Sequence, residues 1–121
     1  MKKLLVLTMA FVASFAFADE KANHKLAENF GYALQASGNC PELNMRLDTA
    51  GKVANVLGED PSDKNSKYNE SYFNGLMKAN EDKKLCTNAW KKFGCQGTET
   101  ARLLQTNPFT NKTGEKCVFS R

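Results

Sequence analysis

Four cysteines, Cys40, Cys86, Cys95 and Cys117, and a single histidine, His24, carry most of the chemistry that this chain's side chains could perform. Thiol chemistry has recognisable spacings. A dithiol redox centre needs Cys-x-x-Cys, haem attachment needs Cys-x-x-Cys-His, and zinc ligands usually come in close pairs. Here successive cysteines stand 46, 9 and 22 positions apart, which fits none of these. A nucleophilic thiol or hydroxyl needs a base, and His24 alone is available. Gly51-Lys52 lacks the earlier glycine of a phosphate loop, and no Gly-x-Ser-x-Gly occurs. The residues predict no enzyme and no cofactor.

An even cysteine count in an exported chain predicts two disulfides. Cys86 falls inside a helical pattern and Cys95 just past its end. Seven helical rises already span about 10 Å, whereas bridged Cα atoms lie within about 7 Å. That disfavours Cys86–Cys95 and, with it, Cys40–Cys117. Cys40–Cys86 with Cys95–Cys117 is the favoured pairing; Cys40–Cys95 with Cys86–Cys117 is the alternative.

Two further groups invite a site. Glu20, His24 and Glu28 share one helix face at spacing four, a face that could hold a metal weakly or respond to pH. Lys21 and Lys25 beside them favour a salt-bridged surface instead, and no metal is expected. Tyr68, Tyr72, Phe73 and Trp90 give the middle of the chain an aromatic side. It is either core, the favoured reading in so small a domain, or a groove for a peptide, lipid or partner helix. The acidic stretch from Asp60 to Glu70 fails as a calcium loop, because Lys67 and Tyr68 stand where a ligand and the turn glycine belong.

The elements that must position these residues are helical. The chain has 121 residues, no isoleucine and, beyond residue 18, valine only at 53, 56 and 118. A sheet would need more β-branched residues. Residues 1–18 have the design of a secretory signal peptide: Lys2-Lys3, an apolar run from Leu4 to Phe15, and Ala16-Phe17-Ala18 before the cut. The run is too short for a membrane span. Removing these 18 of 121 residues leaves one domain of 103, residues 19–121, and losing Lys2 and Lys3 from a formal +4 leaves +2. That balance predicts no nucleic-acid partner, and no second run predicts stable membrane insertion.

Helices are expected at about Asp19–Ala36, Cys40–Leu57, Ser66–Ala79 and Asp82–Phe93, with a short fifth at Thr98–Gln105. Gly38, Gly58 and Gly94 serve as stops, and Asn39 as the cap of the second. Gly31 either admits a close helix contact or is merely tolerated. Leu103, Leu104 and the tail residues Cys117-Val118-Phe119 are expected on the core.

The string Phe73-x-Gly75, Cys86-x-x-Ala89-x-x-x-Phe93-Gly94-x-x-Gly97 and Leu103-Leu104 resembles small exported α-helical four-cysteine proteins of proteobacteria. The resemblance implies a helical fold and the periplasm, and no activity. The fold expectation is a single all-α bundle of four to five helices stapled by two disulfides. The function expectation is a non-catalytic periplasmic or secreted binding or accessory protein with a protein or peptide partner. A small chaperone or apolar-ligand carrier is the alternative, and a small envelope hydrolase has least support.

Overall fold

The computed structural model describes residues 2–121, with side chains from Asp19 onward; the signal-peptide reading of residues 1–18 lies outside the described side chains. The elements in order are helix α1 (Lys2–Asn39), strand β1 (Leu43–Asn44), helix α2 (Thr49–Leu57), helix α3 (Asn69–Glu81), helix α4 (Leu85–Phe93) and strand β2 (Gln105–Thr106). The chain is mostly helical. One short antiparallel ribbon sets Leu43 opposite Thr106 and Asn44 opposite Gln105.

α1 is central and touches α2, α3, α4 and β1. Its apolar residues therefore spread beyond one stripe. Leu26 and Phe30, four positions apart on one face, are buried, and so are Ala27, Ala33 and Ala36. α3 crosses α1 at backbone contact. A Cβ at Gly31 would stand 2.2 Å from the Tyr72 carbonyl oxygen, and one at Gly75 would stand 2.0 Å from that of Glu28. Each glycine loses about 1 kcal/mol of helix propensity relative to alanine; the close approach it allows offsets that cost. Phe30 packs on Tyr72 across this crossing, with ring centroids 5.9 Å apart.

Both disulfides of the favoured pairing are present, Cys40–Cys86 and Cys95–Cys117, with Cα separations of 5.6 and 5.7 Å. The break between α3 and α4 falls at Asp82, whose backbone is extended. Its carboxylate accepts from the Lys84 amide, which starts the next turn. Gly58 stops α2 in the left-handed conformation, φ 81°, with its N–H bonded to the Ala54 carbonyl.

Two expected helices differ. The second begins at Thr49, not Cys40. Residues 40–48 instead turn and pair with β2, because the ribbon and the Cys40 bridge outweigh local propensity. Leu47 consequently stands fully exposed, although in a helix over 40–57 it would share a face with Leu43 and Ala54. Asn39 caps nothing there; it ends α1 and donates to the Gln35 carbonyl. The fifth helix is absent. The amides of Thr98, Glu99, Arg102 and Leu104 donate to the carbonyls of Lys91, Lys92, Gly94 and Phe93. Those carbonyls lie at the end of α4, where a helix leaves acceptors free, and serving them uses the donors a fifth helix would need. Leu103 and Leu104 are nonetheless both buried, and Phe119 docks on the core as expected. Val118 beside it remains exposed.

Candidate binding surface

The four rings of the expected groove are dispersed. Tyr68 is 1% exposed and Tyr72 is also buried, both within the core. Phe73 follows Tyr72 and therefore points away from α1; it is 53% exposed, with Met77 one turn on. Trp90 lies on α4, packed against the core, and borders a cleft with Leu43 and Cys86. Neither Tyr68, Tyr72 nor Phe73 lines any of the four described clefts.

On α1, Glu20 and His24 come together, with a carboxylate oxygen 3.8 Å from Nε2. Glu28 does not join them. It pairs with Lys78 at 2.6 Å and Lys25 at 3.6 Å, and the two ammonium groups hold its carboxyl low against the opposing effect of burial. Lys67 binds Glu20 at 2.9 Å, and this contact lowers the Glu20 pKa and raises that of Lys67. Among the described residues no three acidic, histidine or cysteine side chains are placed to hold a metal ion.

The structure adds one partner that sequence spacing could not suggest. Ser71, 47 positions away, stands 2.9 Å from His24 Nδ1. Serine, histidine and glutamate are the residue types of an acyl-transfer relay. Here the carboxylate is beyond hydrogen-bond range of the ring, and no described cleft seats a substrate beside Ser71 or His24. The cluster instead fastens α1 to the first turn of α3. The Tyr68 ring meets His24 edge-on at 4.9 Å, and its hydroxyl donates to Glu20.

A concave surface runs along the adjoining face of α1, from Lys25 and Glu28 to Tyr32. Two clefts, of about 280 and 360 Å³, share Lys25, Asn29 and Glu99 and so form one trough. Asn29 is buried at its floor, and its amide donates to Thr100 Oγ1 at 2.9 Å. That bond ties α1 to the segment after α4.

The first cleft is walled by Tyr32, Asp82 and Lys92. Tyr32 donates to the Asp82 carboxylate, which also accepts from Asn88 at 2.9 Å. The Tyr32 hydroxyl, the Asn88 amide and the Lys84 backbone N–H bring the Asp82 pKa down to about 2. Burial, reinforced by Asp82, raises that of Tyr32 far above the ordinary phenol range. Lys92 lies 5.4 Å above the Tyr32 ring.

The second cleft is walled by Arg102, Phe119 and Arg121. Arg102 holds a left-handed backbone, φ 69°, which costs a non-glycine residue about 1–2 kcal/mol. Its guanidinium donates to the Ser120 carbonyl at 3.3 Å. The Cys95–Cys117 bridge pins this tail, so the wall is covalently tied to the end of α4. Nothing in the spacing of Lys25, Asn29, Arg102 and Arg121 marks them as neighbours; only the bends at 98–104 and the tail staple unite them.

No family model, no curated protein and no solved structure matches this chain.

Proposed function

We propose that this chain is an exported binding or accessory protein without catalytic activity, and that a protein or peptide partner lies along the trough floored by Asn29. Residues 1–18 direct export and are removed after Ala18. The destination is the periplasm, with release from the cell as the alternative; two disulfides suit either oxidising setting.

One observation carries the reading: two clefts merge over Asn29 into a longer surface, which continues past Phe119, Ser120 and Arg121 into a third cleft, and a disulfide-held tail walls it. A wall fixed before binding reduces the ordering cost of association, about 0.5–1.5 kcal/mol per immobilised long side chain. Charge varies along the trough. Arg102 and Arg121 line the second cleft, and Glu81, Asp82 and Lys92 the first. That pattern suits an extended peptide carrying both signs better than a small apolar ligand.

The test is site-specific photo-crosslinking in the exporting cell. A photoreactive side chain at Glu99 or Arg102 should give one discrete protein adduct, and the same group at Asn65, in the exposed loop before α3, should give none. Equal adducts from all three positions, or none from the trough, would defeat the proposal.

A further inference from the structure

A second surface lies on the ribbon side of the molecule. Residues 107–111 form a turn fastened to the segment before β1. The Asn107 amide donates to the Glu42 carbonyl at 2.9 Å, and its side chain donates to the Pro41 carbonyl at 3.0 Å. Thr110 donates to that same Pro41 oxygen at 3.1 Å. Within the turn, the Asn111 amide bonds the Asn107 carbonyl and the Phe109 amide bonds the Asn107 side chain, both at 2.9 Å. At the centre of this fastened turn Phe109 is 89% exposed. The ring gains no burial in the isolated chain, and the fastened backbone beneath it lowers the ordering cost of a contact there.

Immediately beside it is a cleft of about 350 Å³, bordered by Leu43, Trp90 and Cys86, with Glu42 and Asn111 on its rim. A cavity of about 150 Å³ suffices for a benzene ring. Asn111 belongs to both the turn and the cleft, and Glu42 lines the cleft while its carbonyl anchors the turn, so the projecting ring and the hollow share one face. A two-fold axis midway between the projection and the hollow brings each projection opposite the other copy's hollow. Charge agrees with this arrangement. Lys112 adjoins the projection and Glu42 the hollow, and neither forms an ion pair among the described residues. Seating the ring in the second copy's hollow would bring Lys112 toward that copy's Glu42.

We propose that this face pairs with the same face of a second copy, each Phe109 ring seated against Leu43 and Trp90 of its partner.

Sedimentation velocity on the exported protein, purified without reductant, tests it. Increasing concentration should convert monomer to dimer and shift the emission of Trp90, the single tryptophan. Phe109→Ser should leave the far-ultraviolet circular dichroism unchanged, because the ring touches little in the monomer. It should weaken the dimer at least about a hundredfold, since each dimer loses two buried rings. It should also remove the concentration dependence of Trp90 emission. A monomer at every concentration, including one whose Phe109 face binds some other protein, overturns the proposal. So does a dimer that persists unchanged in Phe109→Ser.

Discussion

Replacing Gly75 by alanine should destabilise the protein, whereas the same replacement at Gly51 should stabilise it. The alanine Cβ at 75 would lie 2.0 Å from the Glu28 carbonyl oxygen and 2.8 Å from the Tyr32 amide nitrogen. Both are backbone atoms of α1, so no side chain can swing aside. Real Cβ contacts begin near 3.0 Å, and α3 must therefore part from α1 by at least 1.0 Å at that point. A gap of 0.5–1 Å already forfeits about a quarter to a half of the attraction between facing atoms. Overpacking a core costs about 1–3 kcal/mol when side chains can adjust, and here they cannot. Alanine returns about 1 kcal/mol in helix propensity. The net expectation is a loss of about 2–4 kcal/mol. Gly51 is exposed in α2, with nothing within 4 Å of an added Cβ, so only the propensity gain applies there. That should add about 0.4–1 kcal/mol. Urea unfolding followed by Trp90 emission and far-ultraviolet circular dichroism measures both. A Gly75→Ala variant as stable as the parent would refute the backbone contact. Gly31→Ala should repeat the loss, and the double variant should lose less than the sum, since the crossing opens once.

The Asp82 carboxyl gives acid unfolding a defined window. Its pKa is depressed, so its contribution is fully present above the unfolded value near 4 and is lost as pH falls toward about 2. Tyr32→Phe removes its principal hydrogen bond, and acid titration by circular dichroism should show unfolding beginning at higher pH; an unchanged midpoint would contradict that assignment. Replacing Cys95 and Cys117 together by serine releases a loop closed over 22 residues and should cost about 3 kcal/mol on the loop-entropy model. Hydrogen exchange should quicken first at Arg102 and Leu104, whose amides bond the end of α4; uniform acceleration across all helices would mean that the staple does not specifically hold the trough wall.

Local signals were readable where local physics decides. Gly58 ends α2 because a left-handed residue is required there, and the sequence supplies one. Helical rise removes one of the three cysteine pairings, and of the two it leaves the favoured one is present. Gly31 was ambiguous in isolation, and only its meeting with Gly75 distinguishes a contact from a tolerated defect. The stretches read wrongly as helix, 40–48 and 98–105, are those whose backbone groups bond distant partners. Leu43 and Asn44 pair with Gln105 and Thr106, and residues 98–104 serve the carbonyls of α4. Helical spacing in their side chains carries no information about such partners. The trough was illegible for the same reason, since Asn29 and Thr100 lie 71 positions apart. The Ser71–His24 contact likewise joins two helices by a bond that neither segment encodes alone.

The staples and the exposed features of this molecule coincide. Cys95–Cys117 fixes the tail that walls the trough, while Cys86 of the other bridge borders the Trp90 cleft. A core this small can tolerate few mobile segments, and the segments held here are not helices. They are the 98–104 bends and the tail at one surface, and the 40–44 corner with its fastened 107–111 turn at the other. Irregular backbone is where a fold can present unusual residues: a left-handed Arg102 and a water-exposed Phe109. A loose loop would relax the backbone strain of the first and leave the second ring free to sample many positions. Covalent and hydrogen-bonded anchoring holds both in place at two separate surfaces. The groups able to react are engaged inside the fold: the single histidine contacts Ser71 and Tyr68, and all four cysteines are bridged.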